Sequence, residues 1–390
     1  MPTTPSLGLR LPLDIMSDAA LDALAATALV ITVPDDYEAL IESATGQSEV
    51  LGIQRLLTIA RRGSKVRVEW QPTIGKKVTA SSSIYPLLSV LLLLQGAEHW
   101  VVDASGAATP LAVDHARKRI VNHRFAKDMF ADSDVVVCAD NLGAGSPPDL
   151  YDTSSAKLRS REDFETLILN ALGPQISPSA NKAGHYQYVN AIGVIVAELF
   201  ENTDMHARLD LDGTPLKQNC LRGVMFKRIH IDVSPDRTVP KGASPKRVDC
   251  FEISVFDSGV GYYSSYTKKP TEDAGIDLTE EWKVLHNCLE RHYHPELSDK
   301  RSGHRAMGLY EVLRSIQSAK GRIEIRTGRL YAYRTFLDGE LQAQMQPMAD
   351  FAHRAWPKPK LLDVDKKYVA VPSEHEKLVG TSIRVIVPLS

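Results

Sequence analysis

Cysteine is scarce: Cys138, Cys220, Cys250 and Cys288 are scattered through 390 residues without any CxxC pair. That spacing suggests neither a disulfide framework nor a zinc ribbon, and a reducing, cytoplasmic setting is expected. An excess of one charge is missing too, since Lys plus Arg number 46 against 48 Asp plus Glu, a formal net charge of -2. No global field then draws the chain to nucleic acid or to an anionic membrane, and neither partner is indicated. The most apolar run, "IYPLLSVLLLLQGA" (84 to 97), falls short of the roughly 20 residues that cross a bilayer and reads as a buried helix. The start "MPTTPSLGLRLPLD" lacks the charged-then-apolar order of a secretory leader. No GxxxxGK[ST] segment occurs, so a P-loop nucleotide site is not among the candidates. Internal repeats and low-complexity tracts are also absent.

What is present is two differently patterned halves. From about residue 17 to 140, helical patterns alternate with the strand-like runs "VRVEWQP", "HWVVDA" and "DVVVCAD", which predicts an α/β domain. "NLGAGSPPDLYDTSSAK" (141 to 157) is dense in turn-forming residues and reads as a linker. Ser160 and Asp163 form a capping box that opens the helix "REDFETLILNALG", stopped by Gly173 and Pro174. The expected division is 1–150, an α/β domain, and 151–390, a second domain. In the latter a long helix, a strand, a polar segment to about 302, a helix, a hairpin and a last strand imply an α+β layer with helices on one face of a mixed sheet.

The long helix contains "VIVAELFENTDMHA" (194 to 207), an aliphatic run that abruptly takes on Glu198, Glu201, Asn202, Asp204 and His206. Glu198 and Asn202, four apart, stack on one helical face. They are either the polar end of an amphipathic helix or an acid and an amide able to hold a water and a hydrated metal side by side. In "FEISVFDSGVG", Phe251, Ile253 and Val255 alternate with Glu252 and Ser254, so Asp257 falls on the apolar side. A carboxylate there must find donors or be neutralised. Gly259 and Gly261 permit a tight turn and a close approach to a ligand, although Asp257 capping that turn is the plainer alternative. Gly303 and Gly308 precede and open the helix bearing Leu309, Val312, Leu313 and Ile316, and free N–H groups at such a start form an anion site. Thr381 shares a strand face with Ile383, Val385 and Val387, so its hydroxyl also points inward.

In this order the four motifs resemble the GHKL ATPase superfamily, over about residues 185 to 390. The resemblance implies a Bergerat fold with ATP and Mg²⁺ bound between helices and sheet under a mobile lid, here about 262–302. It implies Glu198 as the acid that orients the hydrolytic water and Asn202 as the Mg²⁺ ligand. Asp257 would accept the adenine amino group, Gly259 and Gly261 line its pocket, Gly303 and Gly308 form the second glycine box, and Thr381 supports Asp257. "HRAMGL" departs from the family's usual Gly-x-Gly-Leu-Gly-Leu, leaving Arg305, with Arg301 and Lys300, as either γ-phosphate contacts or solvated residues. His206 continues the Asn202 face, more in keeping with packing than with catalysis. Cys288, His292 and His294 have loose metal-like spacing but want a fourth ligand.

The expectation is a cytosolic, Mg²⁺-dependent ATPase acting as a nucleotide-driven switch. Its alternatives are a serine/threonine protein kinase of the anti-sigma-factor type and a non-hydrolysing ATP-binding module. Neither His115 nor His123 sits in a phosphoacceptor context suited to a histidine kinase. The N-terminal region faintly resembles STAS-type interaction domains, which implies a protein partner there; a homodimer stays open.

Overall fold

The computed structural model describes the chain apart from residues 1–6, 18–22, 24–25, 44–47, 81–84, 126–132, 143–145, 173–181, 234–245, 271–274, 290–307, 337–345, 350–354, 359, 366–370 and 390. The first half contains strands β1 (Leu7–Arg10), β2 (Ala28–Val33), β3 (Lys65–Trp70), β4 (Glu98–Val102), β5 (Ala108–Pro110) and β6 (Ser133–Ala139). Interspersed are helices α1 (Leu13–Met16), α2 (Tyr37–Ser43), α3 (Glu49–Arg61), α4 (Pro72–Ala80), α5 (Pro86–Leu93) and α6 (Asp114–Val121). Then come α7 (Arg161–Leu172), α8 (Lys182–His206), β7 (Leu221–Val233), β8 (Lys246–Asp257), α9 (Gly261–Thr267), α10 (Leu278–Leu289) and α11 (Gly308–Ser318). The chain finishes with β9 (Arg322–Gly328), β10 (Leu330–Thr335), β11 (Gln346–Ala349), β12 (Ala355–Lys358), β13 (Leu362–Asp363) and β14 (Leu378–Pro388).

Two sheets carry the architecture, with β11 and β12 forming a small separate pair. The first has the order β1-β2-β3-β4-β5. Its first four strands run parallel and β5 returns antiparallel. The second has the order β13-β10-β9-β14-β8-β7-β6, and each of its neighbouring pairs is antiparallel. The molecule is therefore α+β, with helices and two sheets, but the mixed sheet is the first one. Strand direction is invisible to hydrophobic alternation, which is the same in a parallel and an antiparallel strand with one buried face.

The second sheet has helices on both faces, not on one. Phe251, Ile253, Val255, Ile383, Val385 and Val387 point into a core with α7, α8, α10 and α11. The opposite face, through Val135, Val137, Met225 and Phe256, shares another core with α3, α5 and the inward side of the first sheet. The result is four layers: sheet, helices, sheet, helices. Within the run 84 to 97, α5 is the buried helix expected, and every residue of it is shielded from solvent because it lies between the two sheets.

Two segments differ from their sequence reading for a physical reason. Strand β6, which by pattern belongs with the N-terminal α/β half, pairs with β7 and so joins the second sheet. In the stretch 141–157, Leu150 and Tyr151 are buried and Tyr151 bridges to Leu158, so the turn-forming composition marks a packed crossover, not a free linker. The Ser160 capping box forms as expected, Ser160 N–H donating to Asp163 Oδ2 at 3.0 Å and Asp163 N–H to Ser160 Oγ at 3.3 Å. No helix among the described residues is long and apolar enough to cross a membrane.

Candidate functional site

The end of α8, the end of β8 and the start of β14 converge because β14 pairs directly with β8, placing Thr381 opposite Asp257. Between them lies a half-open pocket with a cavity volume of about 60 Å³. That is a recess smaller than the roughly 300 to 1,000 Å³ of sites that enclose a small molecule. Leu199, Val255, Val260 and Ile383 supply apolar walls, and Asn202, Thr203, Asp257, Ser265 and Thr381 supply polar groups. Residues from α8, β8, α9 and β14 thus line one cavity.

Asp257 is 7% exposed. Burial pushes its carboxyl up to about 6, while N–H groups of Gly259 and Thr381 donate to it and pull the other way. The Gly259 bond measures 2.8 Å to Oδ1. Gly259 stands where a Cβ would lie 2.7 Å from Ala207 Cα, so it is required by the close pass of the α8 end as much as by the turn. Gly261 has φ +78° and its absent Cβ leaves room for Thr327 Oγ1. That hydroxyl accepts from Tyr262 N–H at 3.1 Å and lies 3.3 Å from Thr381 Oγ1.

Glu198 and Gly308 meet beside this pocket. A Cβ on Gly308 would fall 2.6 Å from Glu198 Oε2 and 3.9 Å from Asn202 Nδ2, so the start of α11 rests against the acid and the amide one turn apart on α8. A carboxylate at a helix N-terminus is favourably placed. Asn202 Nδ2 donates to Glu198 O at 2.9 Å. This assignment leaves its Oδ1 as a hard oxygen for a cation of the Mg²⁺ type. Asn202 lines the pocket; Glu198, half-buried, does not. Gly303 and Arg305 lie outside the described residues, as do Lys300, Arg301, His292 and His294. No lysine or arginine lines the pocket among the described residues.

Of the other polar residues at the end of α8, Asp204 has structural partners. Asp204 accepts from Tyr151 Oη at 2.5 Å and pairs with Arg222 at 3.1 Å. Arg222, 1% exposed, also grips Asp140 at 2.8 Å, tying α8 to β7 and the end of β6. His206, exposed at the end of the helix, forms part of the pocket wall.

Two contributors, Thr327 and Tyr262, escape the sequence motifs, and a third, Gly380, enters them only as the glycine before Thr381. Thr327 keeps phase with Ile323 and Ile325, whose side chains enter the helix-side core, and the alternation that turns Thr381 inward turns it inward too. Gly380 has φ +73°, and a Cβ there would sit 2.0 Å from Asp257 O. Only the pairing of β14 with β8 reveals that clash. The segment 262–302, expected as a polar lid, contains α9 and α10 in its described part, with Tyr263, Trp282, Leu285 and Leu289 buried. Elsewhere, Asp363, Asp365 and His375 cluster, but Asp363 already accepts from Asp365 N–H and Ser373 N–H.

Compared with protein-family models, with curated proteins and with solved structures, the chain finds no match.

Proposed function

We propose that this chain is a cytosolic, Mg²⁺-dependent ATPase of the GHKL type, with its C-terminal half a variant of the Bergerat fold and the bound nucleotide acting as a conformational switch. The observation that carries the reading is the convergence of Asn202, Asp257, Gly261 and Thr381 on one pocket, with Gly308 against Glu198 at its edge. These are the residues the ordered motifs single out. The wholly antiparallel sheet departs from the mixed sheet that the resemblance implies.

In this reading the adenine ring lies between Leu199, Val255 and Ile383, and Asp257 accepts its amino group. Thr381 and Gly259 hold that carboxylate by their N–H groups. The phosphates extend toward Asn202 and the start of α11, since a helix N-terminus favours anions. Asn202 Oδ1 would hold Mg²⁺, which supplies charge neutralisation at the phosphates when bound. Glu198 orients a water for attack, as a carboxylate within one helical turn of the cation ligand can do. Gly303 and Arg305, which lie outside the described residues, are proposed as phosphate contacts.

A second reading has a specific observation in its favour. Glu198 faces the start of α11 and not the pocket itself, which suits a module that binds ATP without hydrolysing it. A kinase acting on a serine of another protein is the third, with the N-terminal sheet and its helices as the partner-binding part. Calorimetry with ATP and Mg²⁺, alongside a phosphate-release assay, separates these. Binding with release supports the ATPase, binding alone the passive module or the kinase, and no binding removes the nucleotide reading.

A further inference from the structure

Strand β14 does not follow β9 evenly. Leu378 pairs with Gly328 but Thr381 pairs with the adjacent Thr327, so Val379 and Gly380 are extra residues in a bulge. Bulges concentrate next to functional sites because they re-aim side chains, and they leave main-chain groups without ladder partners. A buried main-chain group must be paired elsewhere. Here both groups of Val379 are paired by the side chains of one helix in the N-terminal half. Val379 N–H donates to Thr58 Oγ1 at 3.0 Å, and Gln54 Nε2 donates to Val379 O at 3.3 Å.

Gln54 is fully used in this contact. Its Nε2 also donates to Arg326 O at 3.2 Å, and its Oε1 accepts from Ser382 Oγ at 2.6 Å. Neither Gln54 nor Thr58 has any exposed surface. The bulge they hold is what brings Gly380 against Asp257 O and aims Thr381 N–H at the Asp257 carboxylate. Further along α3, Arg55 pairs with Glu376 at 2.7 Å and, just past its end, Arg62 donates to Lys377 O at 3.1 Å, so the approach to the bulge is anchored as well.

We infer that Gln54 and Thr58 of α3 are positioning residues of the pocket: by satisfying Val379 they fix the bulge that presents Gly380 and Thr381 to Asp257. This rests on the nucleotide reading of that pocket and adds to it a dependence on the N-terminal half. Linkage makes the dependence reciprocal, because a ligand that requires the bulge must stabilise the α3 contact in return.

The test uses the full chain with Thr58→Val, which keeps shape and removes the acceptor, and Thr58→Ser, which keeps the acceptor. Gln54→Leu removes the other half of the clamp, and Ile53→Val shortens a core side chain of the same helix that makes no hydrogen bond to the bulge. ATP affinity by calorimetry and hydrogen exchange over 376–383 are both measured. Thr58→Val and Gln54→Leu are expected to weaken ATP about tenfold, the equivalent of one hydrogen bond, and to speed exchange by a similar factor. Thr58→Ser should restore both, and Ile53→Val should change neither even where it lowers the melting temperature. Wild-type affinity in Thr58→Val, or an equal loss in Ile53→Val, overturns the inference. Should the wild type bind no ATP, it is the nucleotide reading that fails, and the exchange arm decides alone: equal exchange in Thr58→Val and Thr58→Ser overturns the clamp, and faster exchange in Thr58→Val only supports it.

Discussion

Asp257 has a carboxyl raised to about 6 by burial, and that shift has a definite sign. An unfolded aspartate ionises near 4, so between about pH 4 and 6 the folded chain holds a proton that the unfolded chain has released. The stability this contributes is complete below about pH 4 and is lost as pH rises through about 6. Thermal melts of the ligand-free wild type, compared with the non-titrating Asp257→Asn, are expected to lose ground across that window; parallel curves would show that the carboxyl does not titrate there. Recognition of an adenine amino group needs the ionised acceptor, so affinity should rise over the same range. Adenosine is the suitable probe because it has no phosphate to titrate. Asp257→Asn should abolish the pH dependence and weaken binding roughly tenfold to two-hundredfold, the cost of about 1.5 to 3 kcal/mol for a hydrogen bond to a charged group. Glu198→Ala, by contrast, should lower turnover by about 10² to 10⁴ and leave affinity similar or better, whereas Asn202→Ala should weaken Mg²⁺-ATP binding itself. Phosphate release at the wild-type rate from Glu198→Ala would remove that acid from the chemistry.

The elements that present these residues differ in how far their sequence discloses them. Gly380, in the bulge of β14, combines φ +73° with a Cβ position 2.0 Å from Asp257 O. Gly380→Ala must therefore move main chain, and it is expected to destabilise by at least about 1 to 3 kcal/mol and to lose the pocket. Gly8→Ala in β1, where a Cβ meets nothing within 4 Å, is the matched control; equal urea midpoints for the two variants would refute the role of strain. The inward turn of Asp257 and Thr381 is legible because they keep phase with Phe251, Ile253 and Val255 in β8 and with Ile383, Val385 and Val387 in β14, and α8 is legible from its apolar run. The bulge is not, because it depends on partners on β9 and on α3, strands and helices far removed in sequence. Helix α10 is legible only with difficulty: Leu278, Trp282, Leu285 and Leu289 keep a helical spacing of four, three and four, hidden by the charged residues between them. The direction of the strands in the second sheet carries no sequence signal at all.

Taken together, the two halves do not behave as a module with an appendage. The hydrophobic pattern suggests a cut near residue 150, because turn-forming residues crowd there and a helix is capped at Ser160. Yet β6 completes the second sheet from the N-terminal side of that cut, and α3 and α5 cover the face of the sheet opposite α8. Removing residues 1–150 would expose Met225, Phe256 and Leu378, all now buried, and leave Glu252, Arg326 and Arg384 on the uncovered side. Exposed apolar area costs about 25 cal/mol per Å², and a single domain is stable by only about 5 to 15 kcal/mol, so a fragment 151–390 is expected to be aggregated or loosely packed. The full chain should unfold in urea as one unit, with far-UV circular dichroism and tryptophan fluorescence overlaying, since Trp70 lies in the core shared by both sheets and Trp282 in the helix-side core. A monomeric 151–390 fragment with sharp near-UV dichroism and the ATP affinity of the full chain would defeat the single-unit picture, and with it the dependence of the pocket on α3.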